Sequence, residues 1–201
     1  MKKILSVAIV MSALVLSGCI AGGAQYVDLY YTGKSEVSKS GKLGISTFSD
    51  ERPDTEADYL GTRDINKNKK ETFFSIGGDV ASSVTKVCKS YLQDVGFNCT
   101  SIAPWDHSPG GVKESRQRLD FLVGGTIKKL DCFAMKKTGF TSLILDIDMV
   151  IYIGTPDKSE VKKVPVQLKL ERNEIIFSNE KLQDFMNNSL LEVIQNALSF
   201  S

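Results

Sequence analysis

Histidine is nearly missing from this chain: among 201 residues there is one, His107. A single imidazole excludes histidine-rich zinc sites, and the four cysteines are too dispersed for metal-ligand spacing. No Gly-x-x-x-x-Gly-Lys-Ser/Thr phosphate loop or Gly-x-Gly-x-x-Gly fingerprint occurs, and no Gly-x-Ser-x-Gly elbow raises a nucleophilic serine. A Ser-His-Asp triad would have to use His107, whose flanking Asp106 and Ser108 are neighbours in sequence only, so His107 is expected to be an exposed loop residue. Excess charge of one sign is lacking too, with Lys+Arg 25 against Asp+Glu 24, which removes the electrostatic reason to expect nucleic acid. Beyond residue 18 no apolar run approaches the roughly 20 residues of a membrane-spanning helix. No catalytic residues, no metal and no cofactor are expected, and hence no enzyme.

What is present begins at the start of the chain. Lys2 and Lys3 precede an uncharged apolar stretch, Ile4 to Leu16, too short to span a bilayer and matching the hydrophobic region of a secretory signal. Leu16-Ser17-Gly18-Cys19 follows and resembles the lipobox of bacterial lipoproteins. That resemblance implies cleavage before Cys19 and acylation of its sulfur and new amino group. Residues 1–18 are then a signal peptide, and the protein is tethered to a membrane by lipid. The competing reading is an ordinary signal cut near Ala21 to Ala24, which discards Cys19. Ile20, where an Asp resembles the inner-membrane retention signal of enteric bacteria, leans the location toward the outer membrane, facing the periplasm. Removing the leader lowers Lys+Arg from 25 to 23, leaving a formal charge of −1.

Three further cysteines, Cys88, Cys99 and Cys132, enter an oxidising compartment if the chain is exported. The odd number allows one bridge and one thiol, with Cys88 and Cys99 the preferred pair; three buried free thiols are the alternative.

Ala21 to Ala24 has the small residues of a spacer, and Gln25 to Tyr31 suits an edge strand, so residues 19–42 are taken as tether plus edge strand and 43–201 as one domain. Leu43 to Phe48 alternates as a strand, with Leu43, Ile45 and Thr47 on one face. Ser49 to Asp58 is an acidic loop without the spacing of a calcium loop, and Tyr59 to Ile65 a short hairpin arm. Val80, Val84, Val87, Cys88, Tyr91, Leu92 and Val95 predict a helix over about 79–95, stopped by Gly96, with Thr72 or Ser75 able to cap an earlier start. A strand at 97–102, a Pro/Gly loop at 104–111 and a strand at 119–135 bulged around Gly124-Gly125 come next. Thr141 to Ile153 is the most regular strand, with Leu143, Leu145, Ile147, Met149, Ile151 and Ile153 on one face and Asp146 and Asp148 on the other, solvated face. Val161 to Leu170 returns beside it, and a helix runs from Asn179 or Glu180 to Leu198. The lysine clusters at 67–70, 128–129, 136–137 and 162–163 fall at turns or strand ends and read as solvated edges. The order predicts an α+β fold: a mixed, largely antiparallel sheet with two long helices packed on one face.

Leu43-Gly44-Ile45-Ser46-Thr47-Phe48-Ser49-Asp50-Glu51-Arg52-Pro53, with its Asp-x-Arg step, the arm at Leu60-Gly61, the Gly96-Phe97 helix end and Leu122-Val123-Gly124-Gly125-Thr126-Ile127, resembles the YajG-type bacterial lipoproteins. More distantly the order is similar to auxiliary lipoproteins of ABC-type transporters and to lipoprotein activators of peptidoglycan synthases. The stretch between Pro104 and Arg118 departs from the pattern as an insertion. The resemblance implies location and fold more than activity. The expectation is a non-enzymatic binding or accessory module with an envelope protein as partner. The alternative is a carrier of a lipid or small apolar ligand serving an ABC-type transport system.

Overall fold

A computed structural model describes residues 23–35, 38–53, 55–114 and 118–199. Cys19 and the leader lie outside the described residues. One long strand organises the chain. β7 (Phe121–Lys137) turns through Gly139, which has φ 84°, into β8 (Phe140–Thr155), and β8 turns through a 3-10 segment at Pro156–Lys158 into β9 (Glu160–Glu174). Both pairings are antiparallel, with Leu130 facing Ile147 and Ile147 facing Leu168. On β8 the six residues from Leu143 to Ile153 at alternate positions are buried, as a period of two requires of a sheet with one apolar face.

The other edge of β7 is shared end to end by three strands, all parallel to it. These are β2 (Lys42–Ser46), the two-residue β3 (Ser49–Asp50) and β4 (Tyr59–Asn66). Outside β2 lies β6 (Asn98–Ile102), parallel to it; outside β4 lie antiparallel β5 (Lys69–Ser75) and then β1 (Gly23–Val27), parallel to β5. The expected antiparallel character therefore belongs to the long β7–β8–β9 meander and the β4–β5 hairpin, while the other five pairings are parallel. Thr47 is exposed, since β2 ends before it and is buried on both faces. The bulge of β7 sits at Lys128, between Ile127 and Lys129, not at Gly124-Gly125. The two glycines instead allow close approach: a Cβ on Gly125 would lie 2.3 Å from the Phe48 ring.

There are three helices among the described residues. α1 (Val80–Val95) begins at Asp79, whose carboxylate accepts from the Ser82 amide at 2.7 Å, and ends at Gly96 in the left-handed region. Thr72 and Ser75 do not cap it: β5 occupies them, and Gly77-Gly78 form the turn between strand and helix. α2 (Pro109–Glu114) is a short helix inside the expected Pro/Gly loop. α3 (Asn179–Ala197) is capped by Ser178. Buried faces of α1 and α3 join one core cluster with Val27, Leu29, Ile45 and the inner residues of β8. Val27 and Leu29, in the stretch read as tether and edge strand, are thus core residues. α2 contributes Val112 to a separate cluster with Leu119 and Leu122, on the reverse side of β7 from Val123.

The Asp-x-Arg step has a structural reason. Arg52 is only 4 % exposed, and its guanidinium grips Asp50 through two bonds of 2.8 Å. It also donates to the carbonyls of Tyr59 (2.5 Å), Ala57 (3.3 Å) and Leu130 (3.4 Å). One planar side chain therefore fixes the β3–β4 loop against β7, a geometry Lys could not reproduce. Burial pushes the Asp50 carboxyl up, but the Arg52 bonds and charge outweigh it and hold it below the usual range. Arg52→Ala leaves three carbonyls and a carboxylate without their donor, so urea unfolding should show a loss of about 3 kcal/mol, with Arg52→Lys recovering a minor part.

Candidate functional site

The outer face of the β7–β8–β9 meander is a ladder of charge. Asp131, Asp146 and Lys169 lie in one cross-strand row; Lys129, Asp148 and Gln167 lie in the next. The Lys129 ammonium donates diagonally to Asp146 at 2.6 Å, and Gln167 donates its amide to Asp148 at 2.9 Å. Hydrogen bonding and the charge of Asp146 push the Lys129 amine up. Asp131 is raised by burial, with Asp146 adding to the rise and Lys129 and Tyr59 opposing it. Two depressions open on this surface. One, of about 370 Å³, lies among Arg52, Pro53, Tyr59, Lys129 and Asp131; the other, of about 480 Å³, among Lys129, Asp146, Asp148, Gln167 and Lys169. Asp146 and Asp148 are brought together on one face as expected, each with a neutralising or amide partner. Such a surface can dock a polar ligand or chain. β9 adds a second feature: among the described residues it pairs only with β8, leaving its 15-residue outer edge, with Lys162, Lys163 and Pro165, unpaired in the described sheet.

His107 is not the exposed loop residue expected. It is half-buried in the left-handed region at φ 56°, stacked on Tyr152 with centroids 4.2 Å apart and planes 8° apart, and Trp105 meets its edge at 4.7 Å. The rings close over Gly124: a Cβ there would lie 2.6 Å from His107 Nε2, 2.7 Å from Ser46 Oγ and 3.2 Å from Trp105 Nε1. The cause is tertiary. Asp106 accepts from the Ser108 amide and hydroxyl, forming the turn that folds the loop back onto the sheet. Asp106 is thereby occupied with Ser108, and Ser46 donates weakly to the Val123 carbonyl at 3.5 Å. Nothing local signalled the Trp105–His107–Tyr152 stack, because Tyr152 lies on β8, far along the chain from the other two. Burial lowers the His107 pKa, partly offset by the Asp106 charge.

Cys88, Cys99 and Cys132 stand as free thiols in the structure, with Cys88 and Cys99 electrostatic neighbours. Cys88 packs as a small hydrophobe on the inner face of α1, and burial raises all three thiols away from the reactive thiolate. Among the described residues no group of His, Cys, Asp and Glu is arranged to hold a metal ion, and no helix is long and apolar enough to cross a membrane.

No family model matches the chain, and no curated protein matches it. Solved structures do. A Xanthomonas campestris protein of the DUF330 family aligns with a TM-score of 0.53 at 8% identity, over 87% of this chain and 91% of that one. A protein described as uncharacterized gives 0.50 at 12% identity, over 87% and 95%. A lipoprotein of Neisseria meningitidis aligns at 0.37 and 8% identity, over 78% and 98%. At these identities the first two likenesses are of fold alone, and the third is too loose to carry an argument.

Two outcomes are expected. Neutral His107 is favoured in the folded state, so its contribution to stability is complete above the ordinary histidine pKa of 6.5 and lost as pH falls through the lowered folded value. Thermal melts should show this acid-side loss below pH 6.5 in the parent and not in His107→Phe. A thiol reagent should modify half-buried Cys99 first and reach Cys88 and Cys132 only on denaturation; loss of the Cys88 and Cys99 titre in unreduced, denatured protein would establish the bridge instead.

Proposed function

We propose that this protein is an envelope lipoprotein, anchored through acylated Cys19 and acting without catalysis as a binding or accessory module in the periplasm, at the outer membrane. The observation that carries the reading is the basic-apolar leader ending in Leu16-Ser17-Gly18-Cys19, four residues ahead of the first strand. One acyl chain holds a protein marginally, whereas several hold it firmly, so the fold is free to work as a tethered body.

The working surface is the β7–β9 meander. An extended segment of an envelope protein adding to the outer edge of β9 would gain main-chain hydrogen bonds along the strand. The alternate outer residues Gln167 and Lys169, with Asp146 and Asp148 behind them, would read its polar side chains. The depression among Lys129, Asp146, Asp148, Gln167 and Lys169 places charged and amide groups beside that edge, where a polar chain would find partners, which supports the adaptor.

Intact-mass analysis of protein from its native host should give a chain starting at Cys19 with acyl chains attached, and a terminus lacking Cys19 would end the reading. In-cell crosslinking from position 169 should yield one envelope protein, and should lose it in Gln167→Pro, which removes a backbone donor from the strand. Lipid co-purifying in stoichiometric amount with the protein would instead favour the carrier.

A further inference from the structure

Four features that are distant in sequence meet at one end of the sheet. β4 runs parallel to β7, with Asp64 beside Met135, so the β4–β5 turn at Lys67-Asn68 lies at the end of β7 where Lys136 and Lys137 turn into β8. β1 starts there as well, with Gly23 beside Glu71. β9 leaves there, with Glu174 opposite Thr141, and the next residues are Ile175 and Ile176.

These two isoleucines are 83 % and 71 % exposed, more than any other large apolar residue described, and nearby Met135 is 38 % exposed. They are held outward from a fixed base. Phe177 stacks on buried Phe73 at 6.3 Å, Arg63 covers the other contact of the Phe177 ring at 3.8 Å, and Ser178 caps α3. Around them stand exposed Lys67, Lys69, Lys70, Lys136 and Lys137. The carboxylates of this end are already engaged: Asp64 with Lys70, Glu71 with Arg63, Glu171 with Lys137, and Glu174 with Arg172 and Lys181, leaving Glu180 as the exposed exception. Lys67, Lys69 and Lys136 have no carboxylate partner among the described residues.

The chain reaches this same end from Cys19. Four residues fully extended cover at most about 14 Å, so an acyl chain on Cys19 would hold Gly23 within that distance of the lipid headgroups. We infer that this end of the sheet is a bilayer-contact surface for anionic phospholipid. Ile175 and Ile176 enter the headgroup boundary, and the lysines of the two hairpin turns contact the phosphates. The inference rests on the lipoprotein reading for the anchor and adds the orientation: the sheet stands with this end down, and the Trp105–His107–Tyr152 end points away. Each lysine near an anionic surface contributes about a fivefold increase in binding, and apolar side chains at the boundary deepen it.

The test uses the full acylated chain in vesicles of equimolar phosphatidylcholine and phosphatidylglycerol, with or without bromine on the acyl chains. Trp105 is the one tryptophan; it lies by Gly154, roughly 40 Å along β8 from Thr141. The parent should therefore emit equally in both vesicles. In Ile176→Trp, or Ile175→Trp as an independent position, the added emission should fall at least about twofold in brominated lipid. Lys67→Gln/Lys69→Gln/Lys136→Gln should reverse most of that fall. Acylated protein whose added indole is unquenched overturns this orientation while leaving the lipoprotein reading intact. If intact mass shows no acyl chain, that reading fails, and the surface is judged alone. Flotation of the same material with the vesicles, lost in Ile175→Asn/Ile176→Asn, would support it, and no flotation of the parent would overturn it.

Discussion

The amides and carbonyls of β7 need partners along both edges for 17 residues, and that requirement shapes everything else. One edge is satisfied by a single strand, β8. The other is divided among β2, β3 and β4, which arrive in chain order and all run parallel to it. Parallel neighbours cannot be joined by tight turns, so the connections must travel. α1 carries the chain from β5 to β6, and the β3–β4 loop has to be held in place. Arg52 does this with one buried guanidinium spread over a carboxylate and three carbonyls. At Gly61, where β4 passes β7, a Cβ would sit 1.9 Å from the Cys132 carbonyl oxygen, so only glycine fits.

Division of that edge gives the molecule two unlike faces and two unlike ends. The inner face takes α1 and α3, whose apolar sides close the main core. The outer face keeps its charges in water, paired across strands, except where α2 and the folded-back 104–111 loop cover the start of β7. A sheet built this way offers a long β9 edge, unpaired among the described residues, beside a polar ladder. The ends differ because the β4–β5 and β7–β8 turns, which carry Lys67, Lys69, Lys70, Lys136 and Lys137, point the same way. The strand directions place them beside the start of β1, so the surface near Gly23 is basic and apolar together.

Much of this was legible from periodicity. The Val80-to-Val95 helix, with Gly96 as its stop, and the alternate buried residues of β8 follow from spacing alone, because burial of one face imposes a period of 3.6 or 2. Other readings failed for physical reasons. Lys69 to Ser75 has no clear alternation, since Glu71, Thr72 and Phe74 are each half-buried between two sheet neighbours, and so β5 was hidden beneath a presumed helix cap. His107 looked like a solvated loop residue because the Asp106–Ser108 turn that brings it onto Tyr152 acts across 45 residues of chain. Asp50-Glu51-Arg52 stood out as a motif, but its purpose depends on carbonyls from Ala57, Tyr59 and Leu130. Ile175 and Ile176 continue an apolar run into Phe177, and only the anchoring of Phe177 on Phe73 shows that the other two are left outside.

By itself the sequence determined where the two long helices run and which face of the central strand is apolar. These are local properties: helix and strand periods repeat within a few residues. Tertiary structure alone decided which strands run parallel, that His107 is covered, and that lysines from two hairpins share an end with Ile175 and Ile176. Those outcomes depend on strand order and direction. They are set by which buried backbone groups can satisfy one another across the whole sheet, and no window of neighbouring residues contains that information.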